Sequence, residues 1–153
     1  MTHRIITGLA AVACASVVAC STVATLGTDS NTALKELTAV RQTRDQLFAN
    51  KDLAGLSRYH ASNLTAKLAD GTRLDRSGYE ALLQKEMESG ANAPSRITQL
   101  SQEESGYVAV VEGSGVAERE TWKKTGDGWK LKSVEEISDR SAIASKKNDH
   151  KQS

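Results

Sequence analysis

The stretch Glu120-Thr121-Trp122-Lys123-Lys124-Thr125-Gly126-Asp127-Gly128-Trp129-Lys130-Leu131, residues 120–131, reads as two strands around a tight turn. Gly-Asp-Gly supplies the turn chemistry of a hairpin, and bulky residues alternate with charged ones on either side. With a loop of two or four residues, Glu118, Glu120, Trp122, Lys124, Trp129, Leu131, Ser133, Glu135 and Ile137 fall on one face. Ala117, Arg119, Thr121, Lys123, Lys130, Lys132, Val134 and Glu136 take the other. Both tryptophans turn the first face toward a core, whereas the second is mostly cationic and solvated. Three carboxylates, Glu118, Glu120 and Glu135, are thereby expected on the inward side. A one-residue slip would reverse every one of these assignments.

Strands are expected at about 95–104, 107–113, 116–124 and 129–137, separated by Ser105-Gly106, Gly113-Ser114-Gly115 and Gly126-Asp127-Gly128. Such spacing predicts an antiparallel meander. Before Pro94 the period is helical. Leu34, Leu37, Val40, Leu47 and Phe48 share one side of a helix over 33–50, a stripe interrupted by Arg44. Asp52 is the expected N-cap of a shorter helix through Tyr59. Leu64, Ala66 and Leu68 then alternate into an Asp70-Gly71 turn, from which Thr72-Arg73-Leu74 returns. Ser77-Gly78-Tyr79-Glu80 has the form of a capping box, with Tyr79, Leu82, Leu83 and Met87 at helical spacing behind it and Gly90 closing the helix. Helices first and strands afterwards predict an α+β domain.

This order resembles the nuclear transport factor 2-like superfamily, especially its SnoaL-like branch. The residues that carry the likeness are the long helix, the break Asn50-Lys51-Asp52-Leu53-Ala54-Gly55-Leu56, the Asp70-Gly71 hairpin, the capped third helix and the final Trp122/Trp129 strand pair, over about residues 33 to 137. The resemblance implies a cone-shaped, cystatin-like α+β fold, with N-terminal helices packed on a curved antiparallel sheet around a cavity. It also implies, for the isomerases and cyclases of that fold, an Asp or His base partnered by a second acid or a tyrosine. No such pair maps residue by residue onto this sequence.

The candidate catalytic residues are Glu120, a carboxylate expected beside indole rings, and His60, the one histidine within the expected domain. Tyr59, Tyr107, Glu118, Trp122, Trp129 and Glu135 are the expected ligand-pocket residues. No metal site and no cofactor are expected: the domain lacks a zinc ligand set, a Walker motif and a dinucleotide-binding loop.

Upstream, Met1–Arg4 is basic and 5–18 carries no charge, the form of a secretory signal. Val17-Val18-Ala19-Cys20 resembles the lipobox of bacterial lipoproteins, in which the cysteine is acylated after cleavage before it. The expected organisation is a signal peptide over 1–19, lipidated Cys20 and a tether over 20–31, the SnoaL-like domain over 32–138 and a disordered tail over 139–153. Two or three acyl chains would hold the protein on a membrane. By the same resemblance Ser21, rather than aspartate, directs it to the periplasmic face of the outer membrane. Loss of Arg4 balances the 20 basic against the 19 acidic residues, so no nucleic-acid partner is expected.

Three function classes follow. The preferred one is a non-enzymatic, membrane-anchored envelope lipoprotein whose domain binds a small, partly apolar molecule or an envelope protein, with a homodimer through the sheet as one form of partner. The second is a SnoaL-like isomerase, dehydratase or hydrolase of a small organic substrate, and the third a structural envelope-assembly factor.

Overall fold

The computed structural model describes residues 29–91, 94–113 and 116–137 of the 153-residue chain. The expected signal peptide, Cys20, most of the expected tether and the expected tail lie outside the described residues. Three helices, α1 (Ser30–Ala49), α2 (Leu53–Ser57) and α3 (Arg76–Ser89), accompany six strands: β1 (His60–Lys67), β2 (Arg73–Asp75), β3 (Arg96–Glu103), β4 (Gly106–Gly113), β5 (Val116–Thr125) and β6 (Gly128–Ile137). The sheet order is β2-β1-β6-β5-β4-β3. All neighbours are antiparallel except β1 and β6, which run parallel. The expected α+β architecture is present, with the β1–β2 hairpin extending the meander along the free side of β6.

Local chemistry explains the boundaries. Asp29 caps α1 by accepting from the Thr32 amide at 2.9 Å, so the helix begins at Ser30, inside the segment expected to be tether. Asp52 caps α2 as expected, its Oδ1 accepting from the Gly55 amide at 2.8 Å. The third helix departs from expectation: Asp75, not Ser77, is the N-cap and accepts from the Gly78 amide at 2.8 Å. Glu80 is thereby freed from any capping box. Gly90 ends α3 at φ 78°, a left-handed conformation that costs glycine little.

The core lies between one face of the sheet and the helices. Ala33 and Leu37 of α1, Tyr79 and Leu83 of α3, Leu64 and Ala66 of β1, and Trp122, Leu131 and Val134 of the last two strands are buried together. Leu34, expected on the inner stripe, is instead exposed, and Ala33 takes that place.

One irregularity decides which β6 residues face inward. Trp122 pairs with Leu131, but Thr121 pairs with Ser133, so Lys132 is an extra residue bulged out of the ladder. Beyond it the alternation reverses. Val134 is buried, Glu136 lines the interior, and Glu135 lies on the outer face, where it pairs with Lys67 at 2.8 Å and Arg119 at 3.6 Å. Ser133 likewise turns outward to donate to Thr121 Oγ1 at 2.8 Å. The expected inward Glu135 and outward Val134 and Glu136 are therefore corrected.

Candidate functional site

Glu120 occupies the middle of the helix-covered face and is completely buried. Its Oε1 accepts from Arg41 at 2.5 Å and Arg44 at 3.3 Å, and its Oε2 accepts from Trp122 Nε1 at 2.9 Å. Burial alone would favour the neutral acid. Arg41 and Arg44, with the Trp122 hydrogen bond, outweigh it and hold the carboxyl below the usual glutamate range. Both cations come from α1, where positions 33, 37, 40, 41 and 44 lie along one helical side; Arg44 thus belongs to the buried stripe rather than breaking it. Its guanidinium lies 5.3 Å from the Trp122 ring centroid. Arg41 is equally committed: Nε and Nη2 donate to Ser95 Oγ, which is itself hydrogen-bonded to Asp45. A carboxylate with both oxygens engaged is an anchor for buried Arg44 and partly buried Arg41, not a free base.

Glu118 lies two residues along the same face and pairs across the strands with Glu136. Among the described residues no hydrogen bond or ion pair reaches its carboxylate. Burial, then repulsion from Glu120 and Glu136, pushes it up to about 7 against the pull of Arg41 and Arg44. Glu86 is also raised, by burial first and then by Glu136. The Glu136 Oε2 accepts from the Ala69 amide at 2.8 Å.

These groups border a cavity of about 240 Å³ between α1, α3 and the sheet. Phe48, Leu56, Leu83 and Val111 give it apolar wall; Arg41, Arg44, Tyr79, Glu86, Glu118 and Glu136 supply polar groups. Burial, followed by the charges of Glu118 and Glu120, raises the Tyr79 phenol far above its ordinary value, so it stays a neutral hydroxyl.

Of the expected pocket residues, Glu118 alone lines this cavity. Trp122 and Trp129 are core residues beside it, and their indole N–H groups donate to Glu120 and to Glu36 at 2.8 Å. Tyr107 packs edge-on against Trp129, with ring centroids 5.6 Å apart, and Tyr59 packs partly buried against the core. Glu135 is on the opposite face. His60 lies behind Tyr79, its ring centroid 5.6 Å from the tyrosine ring. Its Nδ1 bonds Glu80 Oε1 at 2.9 Å, and Arg76 Nε donates to the same oxygen at 2.8 Å. Burial lowers His60, outweighing Glu80, so the ring is neutral; its Nε2 is buried without a partner, as is Arg44 Nε.

Sequence reasoning missed Arg41, Arg44, Glu86 and Glu136. The available signal was an arginine inside an apolar helical stripe and a glutamate inside an apolar strand face, two opposite charges that each need a buried partner.

No protein-family model and no curated protein matches the chain. Solved structures do. An NTF2-like protein of unknown function from Silicibacter pomeroyi is 17% identical, with 70% of this chain and 96% of that one covered at a TM-score of 0.58. A domain of unknown function with a cystatin-like fold from Nostoc punctiforme is 12% identical, over 80% and 88%, at 0.56. ActVI-ORFA from Streptomyces coelicolor is 15% identical, over 67% and 94%, at 0.51. At such identities the likeness is one of fold: the chain has the NTF2-like, cystatin-like α+β fold.

Proposed function

We propose that this chain is a lipid-anchored accessory protein of the bacterial cell envelope, and that its domain binds a small, partly apolar molecule without transforming it. The observation that carries the binding reading is the cavity of about 240 Å³, half apolar, with an unpaired carboxyl on its wall. It is at the small end of ligand sites, which favours a compact ligand. The anchoring reading rests on Val17-Val18-Ala19-Cys20. The accessory reading is supported by the candidate bases: both Glu120 oxygens are engaged, and His60 is packed behind Tyr79 with Nδ1 on Glu80. A fragment library followed by amide NMR tests the cavity. Saturable shifts should cluster on Val111, Gly113, Glu118 and Leu83; shifts scattered over the outer sheet face would refute it. Intact-mass spectrometry of the native protein tests the anchor, which requires a diacylglycerol-modified Cys20 at the N-terminus.

A second reading has its own observation. A carboxyl near neutrality on a cavity wall is poised to give or take a proton, as a SnoaL-like isomerase, dehydratase or hydrolase would need, with Glu118 in the place sequence gave to Glu120. Turnover of any fragment hit, abolished in Glu118→Gln, would favour it over pure binding.

A further inference from the structure

The cavity carries an imbalance of charge that its own residues leave unresolved. Its two arginines both face Glu120: Arg41 is fully engaged, with Ser95 and Asp45 as further partners, while Arg44 bonds Glu120 through Nη1 and keeps its Nε without a partner among the described residues. Glu118 and Glu136 are direct cross-strand neighbours on the inward face, an arrangement in which like charges destabilise a sheet. Glu86 of α3 adds a third carboxyl to the same wall. Among the described residues no lysine or arginine forms an ion pair with any of the three. A bound anion would meet the acidic wall with both arginines already facing Glu120, whereas a bound cation would relieve the repulsion.

We propose that the cavity is a site for an organic ammonium ion, its charged head between Glu118 and Glu136 and its apolar body against Phe48, Leu83 and Val111. This inference rests on the small-molecule reading above and names its ligand class. A primary ammonium suits the site because its three N–H donors match carboxylate acceptors that lack cationic partners. A quaternary ammonium would need a cage of aromatic faces, and among the described residues only Phe48 and Tyr79 line the cavity as rings. Bare metal ions are disfavoured, since no three acidic, histidine or cysteine side chains come together as a ligand group among the described residues.

Ammonium binding requires Glu118 to give up its proton. The groups that face it are Arg41, Arg44 and Asp45 from α1, Tyr79 and Glu86 from α3, Glu120 on its own strand and Glu136 from β6. With Glu118 titrating at about 7, affinity for an ammonium should rise about tenfold between pH 6 and pH 8.

Three isosteric probes of unlike charge, benzylamine, benzyl alcohol and benzoate, separate the possibilities when titrated into the full chain and followed by amide NMR. Benzylamine should bind most tightly, with shifts at Val111, Gly113 and Glu118, and Glu118→Gln should weaken it about tenfold or more. Glu135→Gln, which removes a carboxylate from the outer face, should leave the affinity unchanged. Benzyl alcohol or benzoate binding the cavity as tightly as benzylamine would overturn the ammonium inference and leave the cavity reading standing. Displacement of benzylamine by low concentrations of Ca²⁺ would overturn it in favour of a metal. No saturable shift with any probe would overturn both readings.

Discussion

Glu118 and Glu120 stand two residues apart on one face of β5, carry the same carboxyl group, and have opposite electrostatic fates. Glu120 accepts three hydrogen bonds from charged or ring donors and stays ionised; Glu118 accepts none among the described residues, and burial with the repulsion of Glu120 and Glu136 outweighs the pull of Arg41 and Arg44, so it holds its proton to about 7. The difference is measurable as stability. Below the ordinary glutamate value of 4.5, Glu118 is protonated both folded and unfolded, and its contribution is fully present. As pH rises through about 7 the folded protein must ionise it against Glu120 and Glu136, and that contribution is lost. Glu118→Gln mimics the protonated acid at every pH. It should therefore be more stable than the parent near pH 8, by on the order of 2 kcal/mol, and equal to it near pH 4, as read by urea denaturation. Glu120→Gln should do the reverse, destabilising by about 3 kcal/mol because buried Arg44 and partly buried Arg41 lose their counter-ion. The same variant should lower the Glu118 titration midpoint, which ¹³C-detected carboxyl NMR resolves; an unmoved midpoint would deny the coupling of the two residues. Neither fate was legible locally. Arg44 and Glu120 are 76 residues apart, and each looks alone like an isolated flaw in an apolar pattern.

At the scale of elements, most of what the sequence announces survives, and the failures share a cause. The four meander strands fall within about two residues of their expected bounds, because Gly106, Gly126-Asp127 and Gly128 are turn residues with a mechanical reason to be there. Gly106 has φ 139°, and a Cβ on it would stand 2.1 Å from the Trp122 carbonyl oxygen, a backbone atom unable to retreat. Gly106→Ala should cost about 2 kcal/mol or more in denaturant midpoint analysis, whereas Gly126→Ala, with open space around it, should cost far less. The bulge at Lys132 carries no such marker: leucine, lysine and serine at 131–133 are compatible with an uninterrupted strand. Its position reflects how β6 must satisfy β5 on one side and parallel β1 on the other, where the pairing also shifts between His60 and Thr65. Hence the strands were legible, while the inward identity of Glu136 over Glu135 was not. The capping box failed similarly. Asp75, two residues earlier than Ser77, reached the helix amides first, and Glu80 was drawn instead to His60 and Arg76.

For the molecule as a whole, the fold is shared with solved NTF2-like structures at identities of 12–17%, so it is conveyed by element order and not by retained side chains. The α1 lining of the cavity comes from the second half of that helix, Arg41 to Phe48, while the helix begins at Ser30. At a rise of 1.5 Å per residue, these lining residues lie roughly 16–27 Å along the helix from its first residue. Were the cysteine fixed in a bilayer, the cavity would have its α1 wall at the end of that helix farther along the chain from the anchor. On that placement, burying the anchor in vesicles should leave capture of a soluble amine unaltered.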